Sequence, residues 1–137
     1  MKSIQPYVQT FVLLRQCMND AIQIENIPVE GTFPEGGLIS VWTLNRPDKL
    51  NSLNSDSHKA LKEACDLAEY NDSIRVIIIT GAPPNPPLEG KKPKPYSFAA
   101  GADISEFVGK NSDDVRPFFE DNAWERVWNL SKPTIAM

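Results

Sequence analysis

The run Ile74-Arg75-Val76-Ile77-Ile78-Ile79-Thr80-Gly81 restricts what this chain can fold into more than any other segment. β-Branched residues are stiff at χ1 and suit a pleated sheet, and a nearly unbroken apolar run fits a parallel strand covered on both faces. Two parallel strands cannot be joined by a hairpin; they need a crossover of a dozen or more residues. The preceding residues supply one, because Ala60, Leu61, Ala64, Cys65 and Ala68 recur at helical spacing while Lys59, Lys62, Glu63 and Glu69 fall on the wet side. Asn54 or Ser55 can cap that helix, and Asp56 sits favourably in its first turn. Upstream, Leu38–Leu44 reads as the partner strand, so the order is strand, helix, strand, and the class is α/β.

Ile22, Ile24 and Val29 mark an earlier strand, separated from Leu38–Leu44 by Gly31, Pro34, Gly36 and Gly37. Between Ala82 and Tyr96 lie Pro83, Pro84, Pro86, Pro87, Pro93 and Pro95, out of 12 prolines in the chain, which predicts an extended loop. Phe98 to Ala102 is expected to finish a short strand or turn, with helix starting over Asp103 to Phe107. From Asp113 to Leu130, the stripe Val115, Phe118, Phe119, Ala123, Val127 and Trp128 predicts one helix packed along that face, with Pro117 near its start. Lys132 and Pro133 end it, and Thr134-Ile135-Ala136 opens the next strand.

With 137 residues, 41% hydrophobic and 23% charged, the chain has the make-up of a globular domain. A net charge of −4 argues against a nucleic-acid surface, since counterion-release binding needs concentrated Lys and Arg. Cys17 and Cys65 show no metal-ligand spacing and His58 is the lone histidine, so no metal site and two reduced thiols are expected. No apolar run approaches the roughly 20 residues of a membrane span. Residues 1–19 carry Lys2 and Arg15 without an acid, a weak likeness to a mitochondrial leader that leaves mitochondrial and cytoplasmic locations both open.

The chemistry concentrates in Ser97-Phe98-Ala99-Ala100-Gly101-Ala102-Asp103-Ile104. Small residues let a backbone approach a ligand closely, and N–H groups at a helix start can be aimed at developing negative charge. Together with Leu44-Asn45-Arg46-Pro47-Asp48-Lys49-Leu50-Asn51-Ser52-Leu53 upstream and Lys132-Pro133-Thr134-Ile135-Ala136 downstream, this run resembles the enoyl-CoA hydratase/isomerase (crotonase) family.

That resemblance implies a spiral of ββα units, of which residues 22–137 would be the N-terminal portion and residues 1–21 an extension of unknown role. It implies hydration of a 2-enoyl-CoA, with coenzyme A carried by the substrate, no separate cofactor, and homotrimers or hexamers. Isomerisation is the alternative within the family, and a non-catalytic acyl-CoA-binding or subunit-interaction protein is the alternative outside it. The backbone N–H of Ala102 would be one oxyanion donor, and a glycine after the strand at Thr134 would be the other, although the match departs at Met137. The family's two catalytic glutamates have no counterpart here, and Glu106, Glu120 and Glu125 read as solvated helix residues. Ala100, Ala102, Asp103 and Ile104 match positions lining the acyl-CoA groove, while Arg46, Lys49 and Leu50 either touch the nucleotide and pantetheine or shape the helix entry. Asp103 is equally read as a helix cap, Lys91, Lys92 and Lys94 as a solvated loop, and His58 as solvent-facing.

Overall fold

The computed structural model describes residues 20–30 and 36–137. Strand β1 (Ile22–Val29) pairs antiparallel with β2 (Gly37–Leu44), from Ile22 opposite Leu44 to Val29 opposite Gly37. Helix α1 (Ser55–Glu69) then crosses to β3 (Ile74–Gly81), which lies parallel to β2. Strand β4 (Thr134–Ala136) adds parallel to β3, giving the order β1-β2-β3-β4.

Helix α1 starts where its cap dictates: Asn54 is extended, and its side chain accepts from the Ser57 N–H at 3.0 Å. The apolar stripe Ala60, Leu61, Ala64, Cys65 and Ala68 is buried, in one cluster with Trp42, Leu44, Ile77 and Ile79. Leu61 is 0% exposed, and such a side chain contributes about 1.5–3 kcal/mol through burial. Ser40, also 0% exposed, is not left unpaired, because its hydroxyl accepts from Trp42 Nε1 at 2.8 Å. Burial also pushes the Cys65 thiol up to about 12, with Asp66 adding to the effect, so this cysteine packs as an inert apolar group. Cys17, and the leader-like segment that carries it, lie outside the described residues.

Two expectations need correction. The parallel pairing of β3 stands, but its burial alternates: Ile77 and Ile79 are enclosed while Val76 and Ile78 are only half-buried, so one face rather than both is covered among the described residues. The single helix over Asp113–Leu130 is two helices, α2 (Ser112–Glu120) and α3 (Ala123–Trp128). Asn122 starts a new helix by accepting from Glu125 N–H at 3.2 Å, and Pro117 lies inside α2, where its missing N–H leaves one turn unbonded. The break also turns the aromatic stripe off the core. Ala123 is buried and Val127 packs on the cluster, whereas Phe119 and Trp128 are 63% and 89% exposed.

Lys132 fastens the turn before β3, its ammonium donating to the carbonyls of Asn71 (2.6 Å) and Ile74 (3.0 Å). Among the described residues no helix is long and apolar enough to cross a membrane.

Candidate active site

Strands β2 and β3 end side by side at Leu44 and Gly81, so the loops that follow them leave from the same edge of the sheet. In open α/β sheets the crevice outside the carboxyl ends of parallel strands is the common ligand position. The first loop folds into a tight 3-10 turn at Pro47–Lys49, closed by Lys49 N–H to Arg46 O at 2.9 Å and Asn51 N–H to Arg46 O at 2.8 Å. Leu50 and Asn51 follow at φ 52° and 56°, left-handed conformations that cost a leucine about 1–2 kcal/mol.

Asn51 holds the two loops together. Its Oδ1 accepts from Arg46 N–H (3.0 Å), and its Nδ2 donates to Ala82 O (2.9 Å) and Ser97 O (2.8 Å). Gly81 permits the same approach, because a Cβ there would lie 2.4 Å from Ser97 O and 2.5 Å from Phe98 O. Neither residue was a sequence candidate. The only available signals were an asparagine among turn-forming residues and a glycine closing a strand.

The second loop is stitched onto the first. Ala100 N–H donates to Leu50 O (3.0 Å), Leu53 N–H to Gly101 O (2.8 Å), and Asp103 N–H to Leu53 O (2.8 Å). Leu53 and Ala102 thereby form a parallel bridge. In such a bridge the bonds use the carbonyl before and the N–H after the central residue, so Ala102's own N–H points the other way. It donates to no group among the described residues, and Ala102 is an exposed residue. Gly101, at φ 97°, makes the turn that allows this.

Arg46 and Asp103, 57 residues apart, clamp the assembly at 2.8 Å, and the same guanidinium donates to Ser52 O at 2.7 Å. The Arg46 guanidinium is therefore engaged between the two loops. Asp103 does act as a cap: its other oxygen accepts from Ser105 N–H (3.1 Å) and hydroxyl (2.6 Å) at the start of the 3-10 turn Ile104–Phe107. Hydrogen bonds from Ser105 first, then the Arg46 guanidinium, hold the Asp103 carboxyl at about 2, below its ordinary 3.8. A carboxylate with a depressed pKa stabilises the fold fully above its ordinary value, and that contribution is lost as pH falls through about 2. Ser105→Ala and Arg46→Ala should each move the Asp103 carboxyl upward in a carbon-13 NMR titration. A titration unmoved in both variants would separate Asp103 from these partners.

The remaining candidates divide. On these two loops Ala100, Lys49 and Ile104 are exposed and Leu50 is half-buried. Lys94 is not a free loop cation, since it donates to Asp48 O at 2.6 Å, while Asn85 donates to the Asp48 carboxylate at 2.9 Å. The proline-rich loop is thus pinned at both limbs to the first loop. Lys91 and Lys92 are exposed. Two readings are corrected. His58 is half-buried rather than solvent-facing, its Nδ1 accepting from Ala123 N–H at 3.1 Å. Glu106 is engaged rather than merely solvated, accepting from Ser55 N–H (2.9 Å) and hydroxyl (3.1 Å). Two open concavities of about 300 and 380 Å³ lie elsewhere, one beside Lys132 and Arg75, the other between α1 and α2, and neither is lined by Ala102.

The fold and these loops define a class before any relative is considered: an α/β unit with a mixed sheet whose loops present a bare main-chain donor. Comparison with known proteins is specific about which. The enoyl-CoA hydratase/isomerase family model matches residues 35–137, and the chain belongs to that family. The short-chain-enoyl-CoA hydratase of Clostridium acetobutylicum is 34% identical over 117 residues, covering 84% of this chain and 39% of that protein. The 1,2-epoxyphenylacetyl-CoA isomerase of Escherichia coli is 35% identical over 110 residues, covering 74% of this chain and 36% of that protein. A crystal structure of an enoyl-CoA hydratase/carnithine racemase from Magnetospirillum magneticum superposes with a TM-score of 0.65 at 31% identity, over 86% of this chain and 38% of that one. The crotonase fold is therefore shared, and the chain spans under two fifths of the length of these relatives.

Proposed function

We propose that this chain carries one half of the oxyanion hole of an enzyme acting on acyl-CoA thioesters, with hydration of a 2-enoyl-CoA as its reaction. The observation that supports this is the Ala102 N–H: unpaired among the described residues, on an exposed residue, and turned away from Leu53 by the bridge. As a thioester becomes enolate-like, charge collects on its carbonyl oxygen. A preorganised donor there is worth about 2.7–4 kcal/mol. The side chain of Ala102 contributes nothing to the step. Asp103 and Glu106, the nearest carboxylates in sequence, are committed to Arg46, Ser105 and Ser55, so neither takes the proton-transfer role. Isomerisation uses the same enolate stabilisation, and the identity to the E. coli isomerase keeps it as the second reading. Assembly into trimers or hexamers belongs to the same proposal.

The test is spectroscopic. A 2-enoyl-CoA bound to the 137-residue chain should show its thioester C=O stretch shifted to lower frequency, without turnover at ordinary enzyme rates of roughly 1–10³ per second. Ala102→Gly should keep the shift and Ala102→Pro should abolish it, circular dichroism first showing that the proline variant is folded. An unshifted carbonyl in the bound wild-type complex would sink the donor role.

A further inference from the structure

The segment from Ile104 to Asn122 leaves the sheet two residues after Ala102 and packs chiefly on itself. Phe107 meets Phe118 edge-on at 5.4 Å and Phe119 at 6.1 Å, Lys110 lies 4.8 Å from the Phe118 ring centre, and Asn111 and Asp114 cap one another. Helix α2 buries no residue. What joins this excursion to the body is a set of polar clasps on one helix, α1. At its near end Glu106 accepts from Ser55; at its far end Asp121 pairs with Lys62 at 2.5 Å and the Ala123 N–H donates to His58 Nδ1.

We propose that residues 104–122 form a strap whose far end is fastened to α1 in part by a hydrogen bond that only neutral His58 can accept, so that protonation of His58 loosens that end. The chemistry is direct: Nδ1 accepts through a lone pair in the neutral ring, and in the imidazolium both nitrogens are donors. A protonated Nδ1 would face the Ala123 N–H donor to donor. Three charged groups bear on the ring. Lys62, from α1 itself, opposes the proton, while Glu106 from the 3-10 turn and Asp121 from the end of α2 favour it. The other charged residues lining that groove are Lys59, Glu63, Asp66 and Arg126. Burial outweighs the two acids and lowers the imidazole below its ordinary 6.5. The closed strap is therefore fully held above that value and loosens as pH falls through the lowered one. The near end, beside the turn that carries Ala102, stays clasped through Glu106 and Ser55, so the loosening is confined to the end at Asp121 and Ala123. The inference does not depend on the reaction assigned to the candidate active site.

The experiment follows the Ala123 amide and the His58 imidazole together by NMR between pH 8 and 4.5 in the full chain. Both should move with one midpoint, below 6.5. Amide exchange over residues 104–122, corrected for intrinsic rates, should quicken by roughly fivefold across it, the population change that losing one hydrogen bond produces. A Glu106→Gln background keeps an acceptor opposite Ser55 at every pH, so any remaining change belongs to the far clasp. In that background, His58→Asn retains an acceptor but cannot titrate, and the exchange should become flat with pH. If the Ala123 amide stays still while His58 titrates, the clasp is absent and the proposal fails, a result that needs no variant. If exchange quickens unchanged with His58→Asn, the switch lies elsewhere and the proposal fails equally.

Discussion

Gly81→Val is expected to lower the urea unfolding midpoint steeply. A Cβ at this position would stand 2.4 Å from Ser97 O, 2.5 Å from Phe98 O and 2.8 Å from Asn51 Nδ2. Two of those atoms are backbone, so relief requires moving the loop that carries the donor rather than turning a side chain. Overpacking costs about 1–3 kcal/mol in ordinary cores and more where backbone must shift, so a loss of about 3 kcal/mol or more is expected. Small domains have only about 5–15 kcal/mol in all. Urea unfolding followed through the near-ultraviolet signal of buried Trp42 reads the effect. A midpoint equal to wild type would mean that residues 97 and 98 do not lie over the end of β3.

Asn51→Asp should be nearly as damaging, with an opposite sense in pH from Asp103. Asn51 is 2% exposed and uses an amide donor toward two carbonyls, those of Ala82 and Ser97. Aspartate would set an oxygen against both and bury a charge without a partner, a change that costs about 3–5 kcal/mol. Burial and the facing carbonyls raise the pKa of the introduced acid. Protonation gives back one donor, so the deficit should shrink as pH falls through that raised value, whereas the Asp103 clamp weakens only in strong acid, near 2. Denaturant midpoints of the variant and wild type at pH 7 and pH 5 test this. A constant difference between the two pH values would show that residue 51 does not face the carbonyls.

Helix α1 shows how far a local pattern reaches. Asn54, Asp56 and the alanine-rich stripe are a cap, a dipole complement and a buried face within one element, and each acts through neighbours a turn away. The split between α2 and α3 shows where it stops. The stripe from Val115 to Trp128 has helical period throughout, yet Asn122 caps a second start, and the bond from its successor, Ala123, to His58 on another element fixes where that start lies. Periodicity carries no information about a partner 65 residues away. The burial of β3 was misjudged for a related reason, since a run of isoleucines looks the same whether one face or both are covered.

The site divides along the same line. The turn at Ala102 was legible as a place where backbone can approach a ligand, because glycine and alanine add little bulk ahead of a helix start. Arg46 was legible as a residue of interest, but its direction was not: nothing in the chain near position 46 says whether a guanidinium turns outward to a phosphate or inward to Asp103. Asn51 and Gly81 escaped as site residues, and His58 reads from sequence as solvent-facing, because each acts on atoms brought to it by the fold: Ser97 and Ala82 for Asn51, the Ser97 and Phe98 carbonyls for Gly81, and the Ala123 N–H for His58.

By itself, then, the order of residues determined what acts within a few residues: the caps, the strands, the crossover helix and the small-residue turn, while the bridge to Leu53 that leaves the Ala102 donor bare is tertiary. Tertiary structure alone decided which face of β3 is covered, where the aromatic helix breaks, and which polar groups meet across the loops. The physical reason is range. Propensity and capping are settled by the nearest turn of chain, whereas the pairing of Arg46 with Asp103 and the seat of Ala123 on His58 exist only once the sheet has closed the distance between them.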